Sequence, residues 1–172
     1  MAAGNTYESI ATTTLSSAAL NVTFTSIAGT YTDLVVVCDN LFSASGTPNL
    51  RILFNTDTAT NYSVTVLEGN GATPYSVRQS SINGIDFGYY TSLYPTGTST
   101  IPSNAIINIM GYSNSTTYKS VISRSNSGYS GTNLNVGLWR STAAITSVRI
   151  SNSSAVNFTS GSTFSLYGIK AA

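Results

Sequence analysis

Apolar and polar residues alternate with a period of two along most of this 172-residue chain, and no stretch of useful length carries the i, i+3, i+4 spacing of an amphipathic helix. Successive side chains of a strand point to opposite faces, so this pattern buries one face of each strand and leaves the other outside. The chain is therefore expected to be all-β. Leu20-Asn-Val-Thr-Phe24 puts Leu20, Val22 and Phe24 on one face, Leu50, Ile52 and Phe54 share another, and Tyr62 to Glu68 alternates in the same way. Gly69-Asn-Gly71 suits the positive φ angles of a tight hairpin, which predicts pairing with Pro74 to Ser80. One segment departs from the alternation: Leu34 to Cys38 is apolar at consecutive positions, the mark of a central strand covered on both faces.

The Thr-rich run from Tyr7 to Leu15 reads as an edge-like first strand, and Ala105 to Tyr112 with Thr117 to Arg124 as the clearest hairpin. Ile85 to Tyr90 reads as a short strand before a long loop, and Ser125 to Asn133 as a Ser/Gly/Asn loop. Gly137 to Ile169, which holds the sole tryptophan, Trp139, reads as strand, link, strand, turn, strand. Roughly ten short strands at spacings of about 8 to 12 residues indicate an antiparallel two-sheet β-sandwich, jelly-roll-like, with the first and last strands near one another. Residues 1–172 are expected to form a single domain, with 1–6 read equally as an arm that orders on docking or as a frayed terminus. Composition agrees, because charged residues make up 8% of the chain against roughly 25% in average domains, while the apolar fraction of 41% remains sufficient for a core.

The residue inventory excludes much chemistry. The chain has no histidine, which removes the commonest general base and metal ligand together with the Ser-His-Asp and Cys-His arrangements. A net charge of +1, with Lys and Arg spread singly, supplies no basic stripe for nucleic acid. Cys38 stands alone in an apolar run and reads as a small buried hydrophobe. Asn55-Thr-Asp57 reads as an Asx turn, since a calcium site needs more carboxylates than the segment carries. Gly128-Tyr-Ser-Gly131 misses the nucleophile-elbow spacing because Thr132 stands where the final glycine belongs. A carboxylate hydrolase would need two of Asp33, Asp39, Asp57, Glu68 and Asp86 to converge on one cleft. The expectation is a non-enzyme without cofactor or metal. With neither a visible secretion signal nor an apolar run long enough for a membrane helix, no membrane partner is expected and synthesis is placed in the producer's cytoplasm.

Eleven tyrosines suit a contact surface, because each presents a flat apolar body with a polar tip. Tyr89, Tyr90 and Tyr94 crowd a glycine-punctuated region and are candidate interface residues, as are Thr6 and Tyr7 at the arm. Trp139 is read as a core residue ahead of a ligand platform.

Five phrases carry a resemblance: Tyr7-Glu-Ser-Ile-Ala, Tyr31-Thr-Asp-Leu-Val, Leu53-Phe-Asn-Thr-Asp-Thr-Ala-Thr-Asn-Tyr62, Gly137-Leu-Trp-Arg-Ser-Thr-Ala-Ala-Ile-Thr146 and Phe164-Ser-Leu-Tyr-Gly-Ile-Lys170. Together they resemble a group of small all-β structural proteins of tailed bacteriophages, including phages of cyanobacteria. The resemblance implies a capsid cement or decoration subunit on the virion surface, often trimeric, whose partners are the major capsid protein and its own copies. It supplies no catalytic or binding residues. The competing expectation is a tail-fibre or baseplate module that binds host-surface glycan.

Overall fold

The computed structural model describes residues 6–87, 100–128 and 131–170. These contain no helix and form β1 (Tyr7–Thr14), β2 (Val22–Phe24), β3 (Asp33–Leu41), β4 (Leu50–Phe54), β5 (Tyr62–Gly69), β6 (Tyr75–Ile82), β7 (Ile85–Phe87), β8 (Ser103–Met110), β9 (Lys119–Ser127), β10 (Gly131–Trp139), β11 (Val148–Asn152) and β12 (Thr163–Ile169). An eight-stranded sheet, ordered β1-β12-β3-β8-β9-β10-β5-β6, packs on a four-stranded sheet, ordered β2-β11-β4-β7. Every pairing is antiparallel. The fold is the expected all-β sandwich, and its first and last strands are hydrogen-bonded neighbours.

Between the sheets, Leu34, Val36, Ile107, Ile109 and Leu166 of the large sheet meet Phe24, Ile52, Phe54, Val148 and Ile150 of the small one, all buried. Cys38 lies inside as a small apolar residue, its thiol pushed far up in pKa by burial. The β5–β6 hairpin has the expected partners, with Gly71 at φ 86° and Asn70 Oδ1 accepting from the Ala72 N–H. An Ala side chain at that φ would be strained.

Several sequence expectations change. Leu20 is exposed and lies before β2, in the bend between the Ala19–Phe158 bridge and the start of that strand, so it does not share the phase of Val22 and Phe24. The loop expected over Ser125 to Asn133 is largely strand, since β9 continues to Ser127 and β10 begins at Gly131. β7 is described only as far as Phe87; the remainder of the Ile85–Tyr90 expectation lies outside the described residues. β3 is interior to its sheet, as expected: Leu34, Val36 and Cys38 face the small sheet, while Val35 and Val37 lie on the opposite face, where Val35 is buried and Val37 half-buried without a second sheet over them.

The five phrases fall into two clusters. In one, Trp139 Nε1–H donates to Asp57 Oδ2 at 2.8 Å, and its ring stacks on Tyr62 with centroids 6.1 Å apart. The Tyr62 hydroxyl donates to Asp57 O at 3.1 Å, and burial pushes its pKa up to about 12. Asn55, at φ 51°, accepts from the Thr146 and Ser147 N–H groups and donates to Ala144 O. Thus the third and fourth phrases close one end of the sandwich on each other. Lys119 reinforces that end, its buried Nζ donating to Thr117 O at 2.8 Å and Thr142 O at 3.2 Å.

In the second cluster the other three phrases meet. The Tyr31 hydroxyl donates to Glu8 Oε1 at 3.1 Å, and Lys170 pairs with Glu8 across the β1–β12 edge. Hydrogen bonds from Lys170 and Tyr31 hold the Glu8 carboxyl below its ordinary pKa. Gly168 is required there by close approach: a Cβ would stand 2.3 Å from the Tyr31 ring.

Candidate functional site

Among the described residues, no second sheet covers the outer face of the large sheet. Two cross-strand rows can be followed there through the register. One runs Tyr167, Val35, Asn108, Ile122, Val136, Thr65, and the other Ser165, Val37, Ile106, Arg124, Leu134, Leu67. Ile122, Leu134 and Val136 are 43%, 45% and 52% exposed at the middle of the sheet. Val35, Val37, Ile106, Ile122 and Leu134 line a shallow open depression with Tyr7 at its rim.

On β10 the usual arrangement is inverted. Asn133, Asn135 and Gly137 point inward with Trp139, whereas Leu134 and Val136 point to solvent. The inward amides are satisfied locally: Asn135 Nδ2 donates to Ser123 Oγ at 3.0 Å and to Asn133 Oδ1 at 2.7 Å, and Ser125 Oγ also donates to Asn133 Oδ1. Gly137 faces inward because Ile85 occupies the space, a Cβ there lying 2.7 Å from its Cδ1. Burying amides while leaving Leu and Val in water opposes the hydrophobic term twice. Trp139 fixes the phase, since its ring belongs to the aromatic cluster with Phe54 and Tyr62.

The sequence-predicted contact residues fare differently. Tyr89, Tyr90 and Tyr94 lie outside the described residues. Thr6 is exposed, and its carbonyl accepts from the Lys170 N–H at 3.0 Å, so it continues the β1–β12 ladder; residues 1–5 of the expected arm lie outside the described residues. Tyr7 opens β1, is 61% exposed, and joins the depression. The outward residues of β8, β9 and β10 escaped the sequence reading. Their signal was a conflict of phase, with Leu134 and Val136 alternating out of step with Trp139.

Among the described residues no His, Cys, Asp or Glu cluster has the makings of a metal site. The carboxylates are engaged by the scaffold. Asp86 takes a bidentate pair from Arg51 at 2.6 and 2.9 Å, and Asp33 accepts from the Gly111 N–H at 2.7 Å. Asp57 Oδ1 accepts from the Ala59 N–H at 2.9 Å, the expected Asx turn. Burial pushes the Asp57 pKa up, but hydrogen bonds from Asn61, Ala59 and Trp139 outweigh it and leave the carboxyl below its ordinary value. What this surface can do chemically is exclude water against another apolar surface. Comparison with protein-family models, with curated proteins and with solved structures finds no match for this chain.

Proposed function

We propose that the chain is a non-enzymatic structural subunit of a phage virion, a decoration (cement) protein of the capsid surface that stabilises the head by binding between capsomers. The resemblance of its five phrases supplies the virion setting, and the outer face of the large sheet supplies the mode of action. The observation that carries the reading is the inverted β10, with Leu134 and Val136 outside and Asn133 and Asn135 within. Contiguous exposed apolar area of this kind marks contact surfaces more often than free surface. Such a subunit acts by buried area, and stable structural interfaces of this sort often exceed about 2,000 Å2 in total.

The glycan-binding alternative has less support. Sugar stacking calls for exposed aromatic faces, and the sole tryptophan is 2% exposed with its N–H bound to Asp57. The depression on the sheet is lined by Val35, Val37, Ile106, Ile122 and Leu134, and the features that favour the glycan reading there are Tyr7, Asn108 and Arg124 in the same lining.

The location and copy number of this chain in purified virions test the proposal. Many copies on emptied heads are expected; a few copies confined to isolated tails would overturn it.

A further inference from the structure

We infer that Asn70, at the tip of the β5–β6 hairpin, is a site of spontaneous covalent modification: its side-chain amide is lost and the turn converts to aspartate and isoaspartate. The chemistry needs only the turn and water, so it is independent of the virion assignment.

The chain has two Asn-Gly pairs, Asn70-Gly71 and Asn83-Gly84. A glycine after the asparagine has no side chain to shield its backbone nitrogen from the preceding carboxamide. That nitrogen attacks the asparagine Cγ and gives up its proton to hydroxide. Ammonia leaves, taking a proton from water, and a cyclic succinimide remains. Water then opens the ring at either carbonyl. The net change is amide plus water to acid plus ammonia, and no oxidant or cofactor takes part.

The fold treats the two pairs differently. Asn70, Gly71 and Ala72 are all exposed, and nothing stands within 4 Å of the position a Gly71 Cβ would take. The Ala72 N–H donates to Asn70 Oδ1 at 3.0 Å, the oxygen that gains negative charge as the carboxamide is attacked. A donor already aimed at that oxygen stabilises the tetrahedral intermediate as an oxyanion hole does. Ring closure also turns the backbone at the asparagine, and the connection over residues 70–74 is long enough to absorb the change.

At the other pair, Gly84 is buried, and its Cβ position lies 3.1 Å from Arg51 Cδ and 3.3 Å from Leu53 Cγ. Asn83 and Gly84 are the whole connection between β6 and β7. Ile82 pairs with Tyr62 on one side and Ile85 with Ile52 on the other, so the backbone there cannot turn without breaking a sheet.

Conversion at Asn70 takes the net charge from +1 to zero, a state that promotes association. The new carboxylate shares a depression with Glu68. The isoaspartate product also adds a methylene to the main chain just before Gly71. Because Glu68 pairs with Tyr75 across the turn, the longer main chain works against the register of the edge strand β6.

The test incubates the folded full chain at mildly alkaline pH and follows the amide-to-acid mass gain at each asparagine by peptide mapping. Asn70 is expected to convert several-fold faster than Asn83 in the folded protein. In guanidinium chloride, where the local sequence sets the rate, the two are expected to converge. Equal rates in the folded protein overturn the inference, as does an Asn70 that keeps its amide when folded and loses it when unfolded. Asn70→Ser removes the amide and keeps a turn-forming residue. The acidic species that form first in the wild type are expected to be missing from this variant on ion exchange, and their persistence would overturn the assignment to Asn70.

Discussion

The inner and outer faces of β8, β9 and β10 belong to the same strands, yet they obey opposite rules. Inside, Val121, Ile107, Ile109 and Trp139 are enclosed, and the polar Ser123, Asn133 and Asn135 are tied to one another or to adjacent residues. Outside, Ile122, Leu134 and Val136 have water where the inner residues have the small sheet. The difference shows that alternation assigns side chains to two faces without saying which face is the core. That choice is made by the bulkiest constraint on the strand, here Trp139 among Phe54, Tyr62 and Asp57.

The contrast is most easily broken at Trp139. Trp139→Ala is expected to cost about 3–5 kcal/mol, read in denaturant unfolding, because it opens a cavity and orphans one of the Asp57 hydrogen bonds. A loss below about 1 kcal/mol would mean that the ring is not the anchor of β10. Gly137→Ala comes next, at about 1–3 kcal/mol, since its Cβ would meet Ile85 Cγ2 at 2.9 Å and overpack the interior. Thermal unfolding measures it, and an unchanged midpoint would show that Ile85 yields freely.

Asp57 sharpens the comparison through pH. Its folded pKa lies below the ordinary value, so its contribution is present above the unfolded value near pH 4 and is lost as pH falls through the lower folded value. Wild-type stability is expected to decline across that acidic window, and Asp57→Asn should flatten the decline while costing about 1 kcal/mol at neutral pH. Parallel pH profiles for the two proteins would assign the acid sensitivity to other groups.

The smallest effect belongs to the outer face. Leu134→Ser and Val136→Ser, measured in dilute solution, are expected to change stability by no more than about 0.5 kcal/mol, because both side chains are already wet. A loss comparable to that of Trp139→Ala would erase the distinction between the faces.

Much of the architecture was legible in the residues. Gly69-Asn-Gly71 predicted where the β5–β6 hairpin turns, though the connection runs over residues 70–74 and Gly71 alone of the three takes positive φ, and Asp57 predicted its Asx turn because its side chain reaches a backbone N–H two residues on. Trp139 was legible as core. The contact surface was not, for a physical reason: Leu134 and Val136 have the composition of core residues, and only the register of β10 against β5 and β9 turns them outward. For Val35, buried, and Val37, half-buried, on the face of β3 away from the small sheet, the apolar run did not say whether a second sheet or their own neighbours enclose them.

The sequence by itself determined an all-β sandwich, because a period of two is incompatible with burying one face of a helix. It also determined the Asx turn at Asp57 and the core placement of Trp139, because the first depends on local backbone chemistry and the second on side-chain bulk. Only the tertiary structure decided which phase of β10 faces the core, that the small sheet covers one side of β3 alone, and that Glu8, Tyr31 and Lys170 close the edge together. Each of these depends on contacts between segments distant in the chain, and alternation is the same whichever face is buried.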